Sequence, residues 1–136
     1  MERALRALRH RDHTSASLEA VLARAGASPA ERSDVVDRIR SLGYVDDTRF
    51  AVRRAEALAE RGAGDRKIEL DLERHGVAED IASAAVAGLE PERQRADRIV
   101  SQRGARASTV RLLASRGFSE DVIEAIVADA SAWELG

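Results

Sequence analysis

The stretch GYVDDTRFA, residues 43–51, decides how this chain folds, because its polar positions specify the end of one helix and the start of the next. Gly43 suits the left-handed residue that ends a helix, and Asp46 is a favourable N-cap for the helix that follows. Asp47 lies in the first turn, where a negative charge favours the positive end of the helix dipole. The stretch therefore predicts a structural connection between two helices.

The apolar residues of the same stretch are predicted to be buried. Tyr44 and Val45 connect the two helices, while Phe50 and Ala51 belong to the buried stripe of the second helix. Val45 at N′ and Phe50 at N4 can pack as a hydrophobic staple that fixes the angle between successive helices. Tyr44 and Phe50 could instead be platforms on which nucleic-acid bases stack, but their positions at helix junctions favour a place in the core.

The composition predicts an all-α fold. The 136 residues are 44% hydrophobic, mostly Ala, Leu, Val and Ile, with only four aromatic residues and two prolines. This composition favours helices over strands. It also suffices for the core of one domain, or of a short row of small repeats that share a core.

An internal repeat favours the row of repeats. The pattern L-x-x-x-G ends three predicted helices, and its glycines are 50 and then 41 residues apart, within the range of helical repeats. The copies are Leu22–Gly26, Leu72–Gly76 and Leu113–Gly117. One unit of three short helices cannot bury its apolar stripe alone, so the units should stack in series. We expect about nine short helices, the first over residues 2–11, in an elongated, curved arrangement of three tandem three-helix repeats spanning 1–46, 47–90 and 91–136.

Charge is distributed unevenly along the chain. The net charge of -2 argues against a globally basic nucleic-acid binder. Residues 93–116 nevertheless hold seven arginines against Asp97 alone, whereas residues 119–136 hold five acids and no base. Arginine-rich, acid-poor faces suit bidentate contacts to carboxylates or phosphates, so an anionic partner should meet the first of these segments. The spacing does not distinguish an acidic protein surface from DNA phosphates.

Nine basic side chains are the candidates for partner contact. Those in the arginine-rich segment are Arg95, Arg98, Arg103, Arg106, Arg111 and Arg116. Arg53, Arg66 and Lys67 complete the set, although Arg53 shares its helix face with charges of both signs, as a solvated face would. The segment GAGDRK at 62–67 has some likeness to a phosphate-binding loop. It lacks the preceding strand and the GK[ST] ending, which favours a turn between helices.

No pattern in the sequence indicates catalysis, a metal or a cofactor. Asp46 and Asp47 could be paired carboxylates or metal ligands, but no histidine or further acid stands at ligand spacing, and helix capping explains both. The three histidines are scattered without the spacing of a metal site. The chain has no cysteine and no apolar run near the roughly 20 residues that a membrane span needs. We therefore predict a cytoplasmic, non-enzymatic protein without a cofactor or a membrane contact.

The stretch GYVDDTRFA closely resembles the signature of the RecX regulatory family, bacterial modulators of the RecA recombinase. Three further segments are similar to the repeats of this family and occur in the family's order. They are LRALRHRDHTSASLEAVLARAG at 5–26, RKIELDLERHGV at 66–77 and RLLASRGFSEDVIEAIV at 111–127. The resemblance covers nearly the whole chain.

This resemblance implies a non-enzymatic protein of three tandem three-helix repeats, and we expect it to be a monomer. Members of the family lodge in the helical groove of the RecA filament on DNA, where they restrain its ATPase, strand-exchange and co-protease activities and promote its disassembly. Some members also bind DNA weakly, so a weak, sequence-independent DNA contact is expected besides the filament. The implied role is in recombinational DNA repair and the SOS response. The residues alone leave two alternatives open, a helix-turn-helix-like DNA-binding module and a generic helical adaptor.

Overall fold

Eight α-helices and no β-strand make up the part of the chain that this computed structural model describes, residues 14–43 and 45–135, with the backbone alone described over 131–135. The all-α prediction is confirmed over these residues. The helix predicted at 2–11 and the core position predicted for Tyr44 lie outside them. The helices are α1 (Ser15–Arg24), α2 (Pro29–Ser41), α3 (Asp47–Glu60), α4 (Asp65–Arg74), α5 (Glu79–Ala87), α6 (Glu92–Arg103), α7 (Ala107–Ser115) and α8 (Glu120–Leu135).

The helices pack in three sets that follow the chain. Every extensive helix–helix contact among the described residues joins α1 to α2, or pairs within α3–α5, or pairs within α6–α8. We call these sets the first, second and third modules. Each encloses its own cluster of buried apolar side chains, around Leu18 and Ile39, around Ile68 and Leu72, and around Leu113. The repeat boundaries at 1–46, 47–90 and 91–136 stay a prediction, which the three separate clusters support.

Local side chains determine where the first three helices begin. Thr14, Ser28 and Asp46 each accept a hydrogen bond from the backbone N–H three residues later, at 3.0, 3.2 and 3.0 Å. These bonds satisfy N–H groups that have no partner within the helix. At the start of α2, the side chain of Glu31 also accepts from the Ser28 N–H at 3.2 Å, and Pro29 occupies the first helical position. The predicted cap at Asp46 is therefore confirmed, and Thr14 and Ser28 are the caps of α1 and α2.

Helices α1, α4 and α7 end in the same way, which explains the L-x-x-x-G repeat. The residue after each glycine donates its backbone N–H to the carbonyl oxygen of the leucine, at 3.1 Å in all three copies. Gly26, Gly76 and Gly117 have φ values of 91°, 76° and 84°, a conformation that glycine adopts without a steric cost. Helix α3 ends likewise, with the N–H of Ala63 on the carbonyl oxygen of Leu58 at 3.0 Å. The sequence analysis missed this fourth copy, so the motif marks helix ends in general.

The stretch GYVDDTRFA joins the first module to the second. Gly43 has the predicted left-handed conformation, with φ of 78°. Val45 is buried in the cluster of the first module, whereas Ala51 is buried in that of the second. Phe50 is half-buried and packs against the second cluster and the ring of His75, with 5.4 Å between ring centroids. Val45 and Phe50 thus pack into different modules, in place of the predicted staple.

The two aspartates of this stretch have different partners. Asp46 caps α3, as the sequence predicts. The carboxylate of Asp47 instead accepts a hydrogen bond from the backbone N–H of Ser15, the first residue of α1, at 2.8 Å. Asp47 therefore serves the start of a helix in the neighbouring module, a role that only the tertiary structure reveals.

An ion pair joins two helices of the second module. The carboxylate of Asp71 on α4 accepts two hydrogen bonds from the guanidinium of Arg54 on α3, at 2.8 and 2.9 Å. These bonds hold the pKa of Asp71 below its ordinary value, although partial burial opposes the shift. Because the folded pKa is lowered, the ionised carboxylate stabilises the fold above the unfolded pKa of about 3.9. That stabilisation is lost as the pH falls through the folded pKa.

Truncation of the second cluster should be costly. Ile68 is fully buried, so Ile68→Ala should lower the free energy of unfolding by about 2 to 5 kcal/mol through lost transfer energy and the cavity left behind. Leu42 is 60% exposed, so Leu42→Ala should change the free energy of unfolding by less than about 0.5 kcal/mol. Urea denaturation of both variants measures these changes. Equal losses would contradict the assignment of Ile68 to a core.

Removal of the Asp71 charge should have a pH-dependent effect. The difference in free energy of unfolding between the native chain and Asp71→Asn should be largest at pH 7. It should shrink as the pH falls below the unfolded pKa of about 3.9 and on through the lowered pKa of the folded carboxylate. Urea denaturation at pH 7 and pH 3 measures it. Glu73→Gln, at an exposed position on the same helix, is the control. A difference that is the same at both pH values would rule out the ion pair as its source.

Candidate partner-binding surface

Tertiary contacts neutralise three of the seven arginines in residues 93–116. Arg93 donates to Asp97 at 2.9 Å and also pairs with Asp129 of α8. Arg98 donates to both carboxylate oxygens of Glu90, at 2.6 and 2.7 Å. Arg95 is the third, and its acceptors lie in the second module. The remaining four make no ion pair with any side chain that the structure describes, and they are Arg103, Arg106, Arg111 and Arg116.

Arg95 lies inside the protein, although the sequence analysis placed it among the partner-contacting residues. Its side chain is only 6% exposed. The guanidinium donates to the carbonyl oxygens of Ala63 and Glu90, both at 2.9 Å, and to the carboxylate of Asp65. Burial raises the pKa of Asp65, and the hydrogen bond from Arg95 opposes that shift. All three nitrogen atoms of this guanidinium donate to acceptors within the fold, so Arg95 is not available to bind a partner.

Glu92 completes the same contact between modules. One of its carboxylate oxygens accepts from the backbone N–H of Asp65 at 2.7 Å, and the other accepts from that of Ser119 at 3.1 Å. Asp65 begins α4, which has no side-chain cap of its own, and Ser119 directly precedes α8. One carboxylate thus serves two helix starts, where negative charge is favourable. No spacing in the sequence links these three positions, so the sequence analysis missed Glu92.

Two glycines allow the second and third modules to approach at backbone distance. The N–H of Gly64 donates to the carbonyl oxygen of Arg116 at 2.8 Å, and the N–H of Arg66 donates to that of Gly117 at 3.1 Å. A Cβ on Gly117 would lie 2.6 Å from the backbone nitrogen of Lys67, closer than packed atoms approach. A Cβ on Gly64 would overlap the backbone of Gly117. Of the turn predicted at residues 62–67, only 62–64 lie between helices, because α4 begins at Asp65, and residues 62–64 are also where these modules meet.

This contact gathers three candidate basic residues from two modules. Arg66 and Lys67 are exposed in the first turn of α4, directly beside Gly117. The half-buried Arg116, from the end of α7, lies across Gly62. We call Arg66, Lys67 and Arg116 the joint surface. They are separated by about 50 positions in the sequence but are neighbours in the fold.

A second basic group lies wholly in the third module. Arg103 is in the last turn of α6, Arg106 immediately precedes α7, and Arg111 lies within α7. All three are exposed. Arg106 and Arg111 also line a hollow of about 400 Å³ whose apolar walls include Val100 and Ile126. We call Arg103, Arg106 and Arg111 the end surface.

The other two candidates stand apart from these groups. Arg53 is exposed on α3 and makes no ion pair with a described side chain. Arg98 is exposed, but its guanidinium is shared with Glu90. No described contact joins either of them to the joint surface or to the end surface.

These surfaces are suited to binding an anionic partner. Guanidinium groups without an internal acceptor can bind carboxylates or phosphates in bidentate geometry. Over residues 14–43 and 45–130, no three metal-ligating side chains are grouped as they would be in a metal site. In the same part of the chain, no helix is both long enough and apolar enough to cross a membrane.

Comparison with known proteins identifies the family. The family model for the RecX second three-helix domain matches residues 46–86, which cover most of the second module. The regulatory protein RecX of Chromohalobacter salexigens is 32% identical over 140 residues, which cover 96% of this chain and 91% of that protein. The chain belongs to the RecX family. The regulatory protein RecX of Mycobacterium ulcerans, 34% identical over 147 residues, is a further relative and covers 94% of this chain and 83% of its own.

Solved RecX structures have the same fold. The crystal structure of RecX from Lactobacillus salivarius superposes with a TM-score of 0.79 at 18% sequence identity, over 95% of this chain and 92% of that one. A second crystal structure of a regulatory protein RecX gives a TM-score of 0.76, also at 18% identity, over 92% of this chain and 69% of that one. The helical arrangement is therefore shared by RecX chains that differ at most positions.

Loss of the buried arginine should destabilise the fold far more than loss of an exposed one. Arg95→Met should lower the free energy of unfolding by about 3 kcal/mol, because the Asp65 carboxylate and two carbonyl oxygens lose their donor. Arg98→Met removes an exposed pair and should cost less than about 1 kcal/mol. Urea denaturation at pH 7 measures both. A cost for Arg95→Met no larger than that for Arg98→Met would show that the buried contact contributes little.

Proposed function

We propose that this member of the RecX family is a regulatory protein that binds filaments of the RecA recombinase on DNA. It inhibits their ATPase, strand-exchange and co-protease activities, and so modulates recombinational repair and the SOS response in the cytoplasm. The observation that carries the proposal is the likeness to regulatory RecX proteins over 96% of the chain. In this proposal the chain acts as a monomer by binding alone, without catalysis and without a cofactor.

The basic residues support a contact spread over more than one module. The joint surface and the end surface together hold six cationic side chains on two adjoining modules, none of them paired with a described carboxylate. Several weak contacts on one rigid body add up, because the second contact forms at a high effective concentration once the first is made. The acidic surfaces of a protein filament would be the partners of these guanidinium groups.

Occupation of the filament groove would explain the inhibition. A chain of packed modules lying in that groove excludes the second DNA strand and the co-protease substrate by its volume. It also shifts the filament toward an inactive arrangement if it binds that arrangement more tightly. Both effects require only shape and charge, which is consistent with a chain that works by contact.

A direct DNA contact is a second candidate function, favoured by the same unpaired arginines. Arginine side chains bind phosphates as well as carboxylates, and such binding weakens steeply with salt. The net charge of -2 favours a weak, sequence-independent contact. A gel-shift assay without recombinase at two salt concentrations tests it. Tight, sequence-dependent binding would favour a DNA-binding module over the filament regulator.

The decisive experiment is a titration of the protein into the DNA-stimulated ATPase reaction of RecA. We expect the ATPase rate to fall as the protein is added and to reach a low plateau. An unchanged rate at saturating protein would end the proposal and would leave the generic helical adaptor as the alternative.

Charge reversal on the end surface should weaken the inhibition. Replacement of Arg103, Arg106 and Arg111 together by Glu should raise the concentration needed for half-inhibition by about tenfold or more, because three attractive contacts become repulsive. Helical content, measured by circular dichroism, should change little, since all three side chains are exposed.

A variant with the same change in net charge is the matched control. Arg24, Arg38 and Arg49 are exposed on α1, α2 and α3 and make no ion pair with a described side chain, so their reversal to Glu should leave the inhibition nearly intact. Equal effects of the two triple variants would indicate a response to overall charge. Full inhibition by the first variant would place the binding face elsewhere.

A further inference from the structure

The contact between the second and third modules is built of groups that cannot move independently. Two backbone-to-backbone hydrogen bonds cross it, from Gly64 to Arg116 and from Arg66 to Gly117. The buried Arg95 crosses it as well, from α6 to the carbonyl oxygen of Ala63. Backbone groups and a guanidinium with its acceptors fixed have little conformational freedom, so this contact resists bending.

The contact between the first and second modules is of another kind. The hydroxyl of Thr14 donates to the carbonyl oxygen of His75 at 2.9 Å, and the carboxylate of Asp47 accepts from the N–H of Ser15 at 2.8 Å. Over residues 14–43 and 45–135, the backbone hydrogen bond from Phe50 to Asp46 belongs to the first turn of α3, and no other hydrogen bond between two backbone groups joins these two modules. The rigidity of the contact between the second and third modules can therefore be compared with that of the contact between the first and second modules, within one molecule.

The joint surface depends on the contact between the second and third modules. Arg66 and Lys67 belong to the second module and Arg116 to the third, so rotation of one module against the other would separate them. Glu92 holds the starts of α4 and α8 together, and Arg95 connects α6 to the turn before α4. In the described part of the chain, neither residue forms a hydrogen bond or ion pair with the side chains of the joint surface.

We propose that Glu92 and Arg95 are positioning residues that hold the second and third modules as one rigid body, so that Arg66, Lys67 and Arg116 meet an anionic partner as a single surface. The claim about the partner rests on the proposed function, whereas the claim about rigidity does not. Loosening this contact leaves every basic side chain in place and lowers affinity only because their relative positions are no longer fixed.

Distances between spin labels test the rigidity in the free protein. The chain has no cysteine, so introduced cysteines are the only labelling sites. Ser33, Ser83 and Ser108 are exposed serines on α2, α5 and α7, one in each module. The Ser83–Ser108 pair reports on the contact between the second and third modules. The Ser33–Ser83 pair reports on the contact between the first and second modules.

The substitutions Glu92→Gln and Arg95→Lys change chemistry with little change in size. Glutamine has one acceptor oxygen where glutamate has two, so it sets an NH₂ group against one of the two N–H groups. Lysine keeps the positive charge but cannot reproduce the fork of a guanidinium. Glu124→Gln makes the same chemical change at an exposed side chain of the third module that forms no ion pair with a described side chain, and it is the control.

We expect the Ser83–Ser108 distance distribution to broaden at least about twofold in Glu92→Gln and Arg95→Lys, at a temperature where circular dichroism shows both to be folded. The Ser33–Ser83 distribution and the Glu124→Gln control should match the native chain. The affinity for RecA filaments on DNA should fall by about tenfold in the two variants. If Arg95→Lys fails to fold, Glu92→Gln alone carries the test.

Two results would overturn the proposal. A Ser83–Ser108 distribution as narrow in folded Glu92→Gln as in the native chain would show that the carboxylate does not hold the modules. A broadened distribution with unchanged filament affinity would show that the rigid contact has no part in binding. If the native chain does not bind filaments, the proposed function fails while the distance measurement still decides the claim about rigidity.

Discussion

The N–H groups at the starts of the helices have no partner within their own helix, and the structure depends on how they are satisfied. The chain is divided into short helices, from nine residues in α5 and α7 to 16 in α8, so it has many such starts. The side chains of Thr14, Ser28 and Asp46 accept hydrogen bonds from such N–H groups at the start of the helix that each one caps. Asp47 and Glu92 satisfy them in a neighbouring module. The need for acceptors at helix starts thus also connects the modules to one another.

The packing of side chains follows from the same short helices. Three separate apolar clusters form, because each set of two or three helices can enclose only a small core. The cluster of the second module is rich in alanine, with Ala51 and Ala55 fully buried, and small side chains let helices approach closely. The modules then meet through polar groups and glycines rather than through a shared apolar core. This gives contacts whose geometry is specific and whose chemistry can differ from one contact to the next.

Internal ion pairs neutralise part of the arginine-rich segment, and only the remaining arginines are available to bind an anionic partner. Arg93 pairs with Asp129, which lies in the acidic segment at the end of the chain, and Arg95 pairs with Asp65 of another module. Of the seven arginines in residues 93–116, four form no ion pair with a described carboxylate, and the fold divides them between the joint surface and the end surface. In the proposed function, a partner would meet both surfaces, so their relative placement would count together with their charge.

The sequence by itself determined the helices and the family. Caps such as Ser28 and Asp46, the left-handed Gly43 and the helical spacing of apolar residues act over a few positions, so they can be read without knowledge of the fold. The signature at 43–51 pointed to the RecX family, and comparison with known proteins confirmed it.

Only the tertiary structure decided which charged residues are free. Arg95 and Arg103 look equivalent in the sequence, because helical spacing says nothing about acceptors that lie about 30 positions away. Glu92 has no local signal, since its two donors belong to α4 and to the start of α8. Val45 and Phe50 are close along the chain yet pack into different modules. Contacts between modules depend on how whole helices are placed, and that placement is set by packing across the fold rather than by the residues on either side.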